Sequence, residues 1–228
     1  MEGMIAALFA LILCLWAQWN VKHTYKKYSQ IQNARGLTGA QVARTILDMN
    51  GLTHISVEHV SGDLTDHYDP TRQVVSLSDA VYGKTSVAAL GVAAHECGHA
   101  VQHAQDYQPM ILRSKVFPVA NVGSRLWYWV FLAGCLLSGF ASNLSSTLLW
   151  LAVILFGAVT VFQIVTLPVE FDASKRAMGI LETEGFLEGN EEVSGARKVL
   201  TAAAMTYVAS LINSLIQFLR LLASARRR

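Results

Sequence analysis

One spacing in the chain has direct chemical meaning: His95-Glu96-Cys97-Gly98-His99. On a helix, positions i and i+4 share one face, a single turn apart. Two imidazoles so placed can grip one metal ion from the same side. Glu96 is turned about 100° from His95, off the gripping face, where it can take a proton from an attacking water. This is the H-E-x-x-H arrangement of zinc peptidases. The competing reading is a pair of hydrogen-bonded core histidines, and it would leave a buried Glu96 in need of its own partner. Cys97 stands about 200° from His95 and reads as a small helix filler.

A catalytic zinc site needs a third protein ligand and an open position. His103 lies one further helical step along. It is about 12 Å from His95 along the axis, too far for both to hold one ion. The longer spacing H-E-x-x-H-x-x-G-x-x-H is absent. Glu170 is the better candidate, within Leu167-Pro168-Val169-Glu170-Phe171-Asp172-Ala173-Ser174. A carboxylate this close to a long apolar stretch needs a reason. Position alone serves two reasons equally: a metal ligand, or an acid favoured by the dipole at a helix N-terminus, a role that Asp172 would fill as well. A donor must also stabilise the oxyanion of peptide hydrolysis. Tyr207 is favoured over Tyr107, Arg113, Arg176 and Arg197; its plainer reading is a packed or interfacial tyrosine.

These residues need elements to position them. Ser86 offers an N-cap for a helix from 87 to about 104, whose first eight residues are apolar. Thr38 and Gln41 fit a capping box. The helix it opens has Val42, Ile46 and Leu47 on its apolar face, and Asn50-Gly51 ends it. Residues 55–60 and 73–77 read as strands, and 66–70 as a polar turn or short strand. The strand 73–77 is expected to offer an exposed edge to an extended substrate. His67 and Tyr68 would then border the cleft or simply form a structural turn.

The rest of the chain looks like membrane protein. Of 228 residues, 53% are hydrophobic and 15% charged, against roughly 25% charged in soluble domains. A net charge of +2 gives no basic field for nucleic acid. Three cysteines make no disulfide framework. Charge is absent from 3–21, 126–169 and 199–219. The first window reads as an uncleaved anchor, with no basic residues before it and no small-residue cleavage site after it. Trp16 and Trp19 supply an interfacial belt. The second would run about 66 Å as one helix, about twice a bilayer core. It is expected to turn at 141–146, giving arms 126–140 and 147–167. In the last, Val208, Leu211, Ile212, Leu215, Ile216, Leu219 and Leu222 recur at helical spacing, as a span or as an amphipathic helix. Lys22, Lys26, Lys27, Arg35, Lys175 and Arg176 put 22–125 and the segment after 168 in the cytoplasm by the positive-inside rule. Arg226, Arg227 and Arg228 also belong inside, which a fourth span would contradict; this favours a partly embedded last helix.

The expected organisation is a mainly α membrane protein with an α+β zincin-like catalytic segment and three to four membrane helices. Its parts are an anchor (1–21), the catalytic segment (22–125), a transmembrane hairpin (126–168) and a Glu-ligand helix followed by an apolar helix (169–228).

The runs at 95–103 (HECGHAVQH), 167–174 (LPVEFDAS) and 66–70 (DHYDP), in this order of elements, resemble the YugP-like family of putative neutral zinc metallopeptidases of bacterial membranes. The resemblance covers roughly 27–222. More distantly the chain is similar to the HtpX heat-shock proteases and the CAAX prenyl proteases. There a Glu-x-x-Ala-Asp segment supplies the third zinc ligand, a role that the resemblance carries to Glu170. Those families have an aspartate four residues after the ligand, orienting a histidine. This chain has Ser174, which can hydrogen-bond an imidazole without charge. Asp172, about 200° round a regular helix from Glu170, is a poor substitute.

The resemblance and the motif together imply a membrane-bound zinc endopeptidase. His95, His99 and Glu170 would hold Zn2+, Glu96 would act as base and Tyr207 as oxyanion donor. Protein or peptide substrates would meet it near the cytoplasmic membrane surface; the lipid bilayer is its other partner, and nucleic acid is not one. The sequence does not specify an oligomeric state. Two alternatives compete. An intramembrane site-2-type protease would place the motif inside a span and carry an Asn-Pro-Asp-Gly segment; Lys84, Gln102, Gln105 and Asp106 flank the motif helix here, and that segment is absent. An inactive scaffold tied by zinc would have no use for Glu96.

Overall fold

The computed structural model describes residues 2–226. It is mainly helical, with one small sheet. The elements are α1 (Glu2–Tyr28), α2 (Gly39–Met49), β1 (Ser56–Val60), β2 (His67–Asp69), β3 (Val74–Ser78), α3 (Val87–Ala104), α4 (Gln108–Leu136), α5 (Ser142–Thr183) and α6 (Gly189–Arg226). A short 3-10 turn, Leu137–Gly139, joins α4 to α5. Arg227 and Arg228, whose charges bear on orientation, lie outside the described residues.

The chain forms two compact units. One comprises 17–110 and 168–206, and the other is built from 2–16, 111–167 and 207–226. Helices α1, α4, α5 and α6 each contribute to both.

The first unit holds the sheet, α2 and α3. The Thr38 capping box forms as expected: Thr38 Oγ1 accepts from the Gln41 amide at 3.2 Å, and Gln41 Oε1 accepts from the Thr38 amide at 2.9 Å. Asn50 caps the other end, and Gly51 takes φ +73°, where a side chain would be strained. Val42, Ile46 and Leu47 then bury against Leu77, Leu90 and Cys97 in one core. The strand order is β1-β3-β2, with β3 parallel to β1 and antiparallel to β2. This corrects the expected edge. The strand at 73–77 is the centre of the sheet, paired on both sides and buried along its whole length, so β1 and β2 are the edges.

In the second unit, α4 begins at Gln108, well before the expected hairpin arm, and includes Pro118. The reversal falls at 137–141 rather than 141–146. Ser142 to Ser146 join α5, and the Ser145 hydroxyl donates to the Gly134 carbonyl at 2.7 Å, so a polar run that reads as a turn is satisfied inside helix. A Cβ on Gly123 would meet the Leu155 oxygen at 2.4 Å, so only glycine permits this approach of α4 to α5. Leu149, Val153 and Phe156 of α5 pack with Leu221 and Ala225 of α6. Among the described residues, three helices are long and apolar enough to cross a membrane, over Ile5–Tyr28, Ser142–Thr183 and Gly189–Arg226.

Pro168 does not end a helix. It lies inside the 42-residue α5. A proline removes one ladder bond, at about 3 kcal/mol. Val169, Ala173, Ala177 and Leu181, following on one stripe, are completely buried. At about 1.5–3 kcal/mol for each large apolar side chain, that face outweighs the lost bond.

Candidate metal centre

Helix α3 presents the motif. The Ser86 side chain caps it, accepting from the Ala89 amide at 3.2 Å. His95 and His99 stack edge to face, ring centroids 4.7 Å apart. Their Nε2 atoms converge on one oxygen: Glu170 Oε2 is 3.3 Å from His95 and 3.6 Å from His99. All three donor atoms lie within 4.8 Å of one another. Glu170 sits 28 residues into α5, so the reading of it as a helix N-terminal acid no longer applies.

Gly98 is the local reason the two helices meet. A Cβ there would be 2.8 Å from the Ala173 carbonyl oxygen and 3.3 Å from Ala173 Cα. The backbone of α5 therefore lies directly against α3 one residue before His99, at a residue three past Glu170.

The donor set fits zinc. Bonds of about 2.0–2.1 Å in a tetrahedron put neighbouring donor atoms about 3.3 Å apart, close to the two Nε2–Oε2 separations. Two imidazoles and one carboxylate are a catalytic zinc set, and three protein donors leave a fourth position open. The His95 side chain keeps 14% of its surface exposed while Glu170 keeps 2%, so the cluster has an open side.

Each histidine is held from behind. Ser174 Oγ is 3.2 Å from His95 Nδ1, so the serine does meet an imidazole. His99 Nδ1 is 3.0 Å from Gln102 Oε1. The Gln102 amide donates to the Val169 carbonyl and to Asp172 Oδ2, both at 2.8 Å. Arg176 Nε donates to the same Asp172 oxygen at 2.5 Å, and its guanidinium lies 5.7 Å over the Tyr107 ring. Asp172 thus serves the site through Gln102 and His99, not by replacing the missing aspartate at His95. Gln102 was not singled out from the sequence as a partner of the site. Its spacing, three residues past His99 on a helix, is the signal that marks it.

Burial works against charge on His99, but Glu170 and Glu96 outweigh it and hold its pKa above the ordinary value. Glu96 is 9% exposed and makes no hydrogen bond or ion pair among the described residues. Burial, with Glu96 adding to it, pushes the Cys97 thiol far up. The thiol donates to the Ala43 carbonyl at 3.5 Å, away from the cluster. His103 Nδ1 instead meets the Tyr68 hydroxyl of β2 at 2.9 Å. Tyr207 lies half-buried on α6, in the other compact unit.

A helix-borne histidine pair joined to a carboxylate from an apolar helix points to a class, and comparison with known proteins names it. A family model described as "Putative neutral zinc metallopeptidase" matches residues 3–226, and the chain belongs to this family. The chain is also similar to the "Putative membrane protease YugP" of Bacillus subtilis (strain 168), at 51% identity over 211 residues, covering 92% of this chain and 91% of that protein. No solved structure matches.

Proposed function

We propose that the protein is a multi-pass, membrane-bound zinc endopeptidase. The observation that carries this reading is the convergence of two imidazole Nε2 atoms and one buried carboxylate oxygen beside a Glu96 that has no ion-pair partner among the described residues. His95, His99 and Glu170 would hold the ion. Zinc bound there would supply Lewis acidity toward the scissile carbonyl and the attacking water. Glu96 takes the proton of that water and passes it to the leaving amine. The substrates are proteins at or near the membrane, because Glu170 follows the charge-free stretch 126–169 directly. Lys22, Lys26, Lys27, Lys175 and Arg176 favour a site on the cytoplasmic side.

The test is cleavage of an unfolded protein by the purified chain in detergent. Glu96→Gln should retain zinc and lose cleavage by at least about 100-fold, the scale of general-base catalysis. Equal cutting by both proteins would remove Glu96 from the mechanism. Zinc binding without cleavage in either would favour the scaffold reading.

A further inference from the structure

We infer that Gln102 and Asp172 are positioning residues that fix the tautomer of His99, so that its Nε2 lone pair faces the metal. This rests on the zinc reading of the cluster. The argument is one of donors and acceptors. Gln102 is completely buried, and its amide end is 2.8 Å from two oxygens, the Val169 carbonyl and Asp172 Oδ2. A carbonyl oxygen is only an acceptor, and so is a carboxylate that already accepts from Arg176 Nε. Both require the NH2 of Gln102. The orientation of the amide, ambiguous in isolation, is thereby settled.

Its Oε1 must then face His99 Nδ1, at 3.0 Å. That oxygen can only accept, so Nδ1 must carry the proton. A neutral imidazole with its proton on Nδ1 has a bare Nε2, the atom aimed at Glu170 Oε2. The chain of constraint runs from Arg176 through Asp172 and Gln102 to His99. His95 has no equivalent. Its Nδ1 partner is the Ser174 hydroxyl, which can donate or accept and so leaves the tautomer free. Val169, the other anchor of Gln102, adjoins Glu170, so one amide ties a ligand on α3 to the turn of α5 that bears the next.

Two measurements on the full chain in detergent test this. Nitrogen NMR of histidine-labelled, metal-free protein at pH 9, with His99→Gln to identify the signal, should show the His99 proton on Nδ1. In Gln102→Leu that preference should be lost. Zinc affinity, measured by competition with a chromophoric chelator, should fall 10–100-fold in Gln102→Leu, the usual effect of removing a partner behind a ligand. Gln102→Glu should also weaken binding, because it sets a second carboxylate against Asp172. Asp172→Asn, which leaves Gln102 in place, should weaken binding less than Gln102→Leu, because the Val169 carbonyl still holds the Gln102 amide. Gln102→Glu keeps the test alive if Gln102→Leu does not fold. The inference fails if wild-type His99 carries its proton on Nε2, if Gln102→Leu and Gln102→Glu bind zinc like wild type, or if Asp172→Asn weakens binding more than Gln102→Leu. If the wild type binds no zinc, the metal reading falls, and the tautomer alone decides the role of Gln102.

Discussion

Two glycines on the same buried helix should respond to alanine in opposite ways. At Gly91 a Cβ would sit 3.7 Å from the Ala196 Cβ, an ordinary contact. Alanine there removes backbone freedom from the unfolded chain and should be neutral or stabilising by up to about 1 kcal/mol. At Gly98 the Cβ would be 2.8 Å from the Ala173 carbonyl oxygen. The neighbour is backbone and cannot rotate away, so α3 and α5 must part by about half an ångström to reach ordinary contact. Overpacking of this kind costs about 1–3 kcal/mol. The same gain in helix propensity offsets part of it, leaving a fold weakened by roughly 0–2 kcal/mol. The larger effect falls on the cluster. Ala173 is three residues from Glu170 and adjoins Ser174, and a metal site tolerates distance errors of about 0.2 Å. Gly98→Ala should therefore lose at least about tenfold in zinc affinity, with only a small change in melting temperature. Gly91→Ala should bind zinc as wild type does. Thermal unfolding and chelator competition on the pair give both quantities. Equal zinc affinity in the two variants would refute the claim that close backbone approach at Gly98 sets the donor geometry.

Two further outcomes are expected. Zinc needs neutral His99, whose metal-free pKa lies above the ordinary value of about 6.5. Affinity should be level in pH above that raised pKa and fall as pH drops through it, starting at a higher pH than for an unshifted histidine; titrations across pH 5–9 check the direction. His103→Ala should keep one zinc per chain at unchanged affinity, because His103 pairs with Tyr68 outside the donor cluster; loss of stoichiometric zinc would return it to the ligand set.

The parts of this protein written in local chemistry were legible in its sequence. The Ser86 and Thr38 caps, the Asn50-Gly51 stop and the H-E-x-x-H face each depend on residues within one or two turns of one another, and each forms where its pattern lies. What depends on partners far along the chain was not legible. Pro168 has the local signature of a helix end, yet the burial of Val169, Ala173 and Leu181 carries the helix through it. The polar run 141–146 is absorbed because Ser145 finds the Gly134 carbonyl. The run 73–77 reads as a strand, but its place between two others is not written in it. Asp172 was set aside on helical angle from Glu170, which is a sound reason against contact with His95; its link to His99 needs Gln102, a side chain from another helix. The role of Gly98 depends on Ala173, 75 residues along the chain.

The passage of α5 through Pro168 leaves no loop between the charge-free residues 142–167 and the carboxylate at Glu170. A helix is a stiff rod that flexes sharply only at such a proline. Spanning rods tilt when the hydrocarbon layer is thinner or thicker than their apolar length. For the proposed membrane protease, the lipid used in an assay is thus a variable to be specified alongside pH and salt.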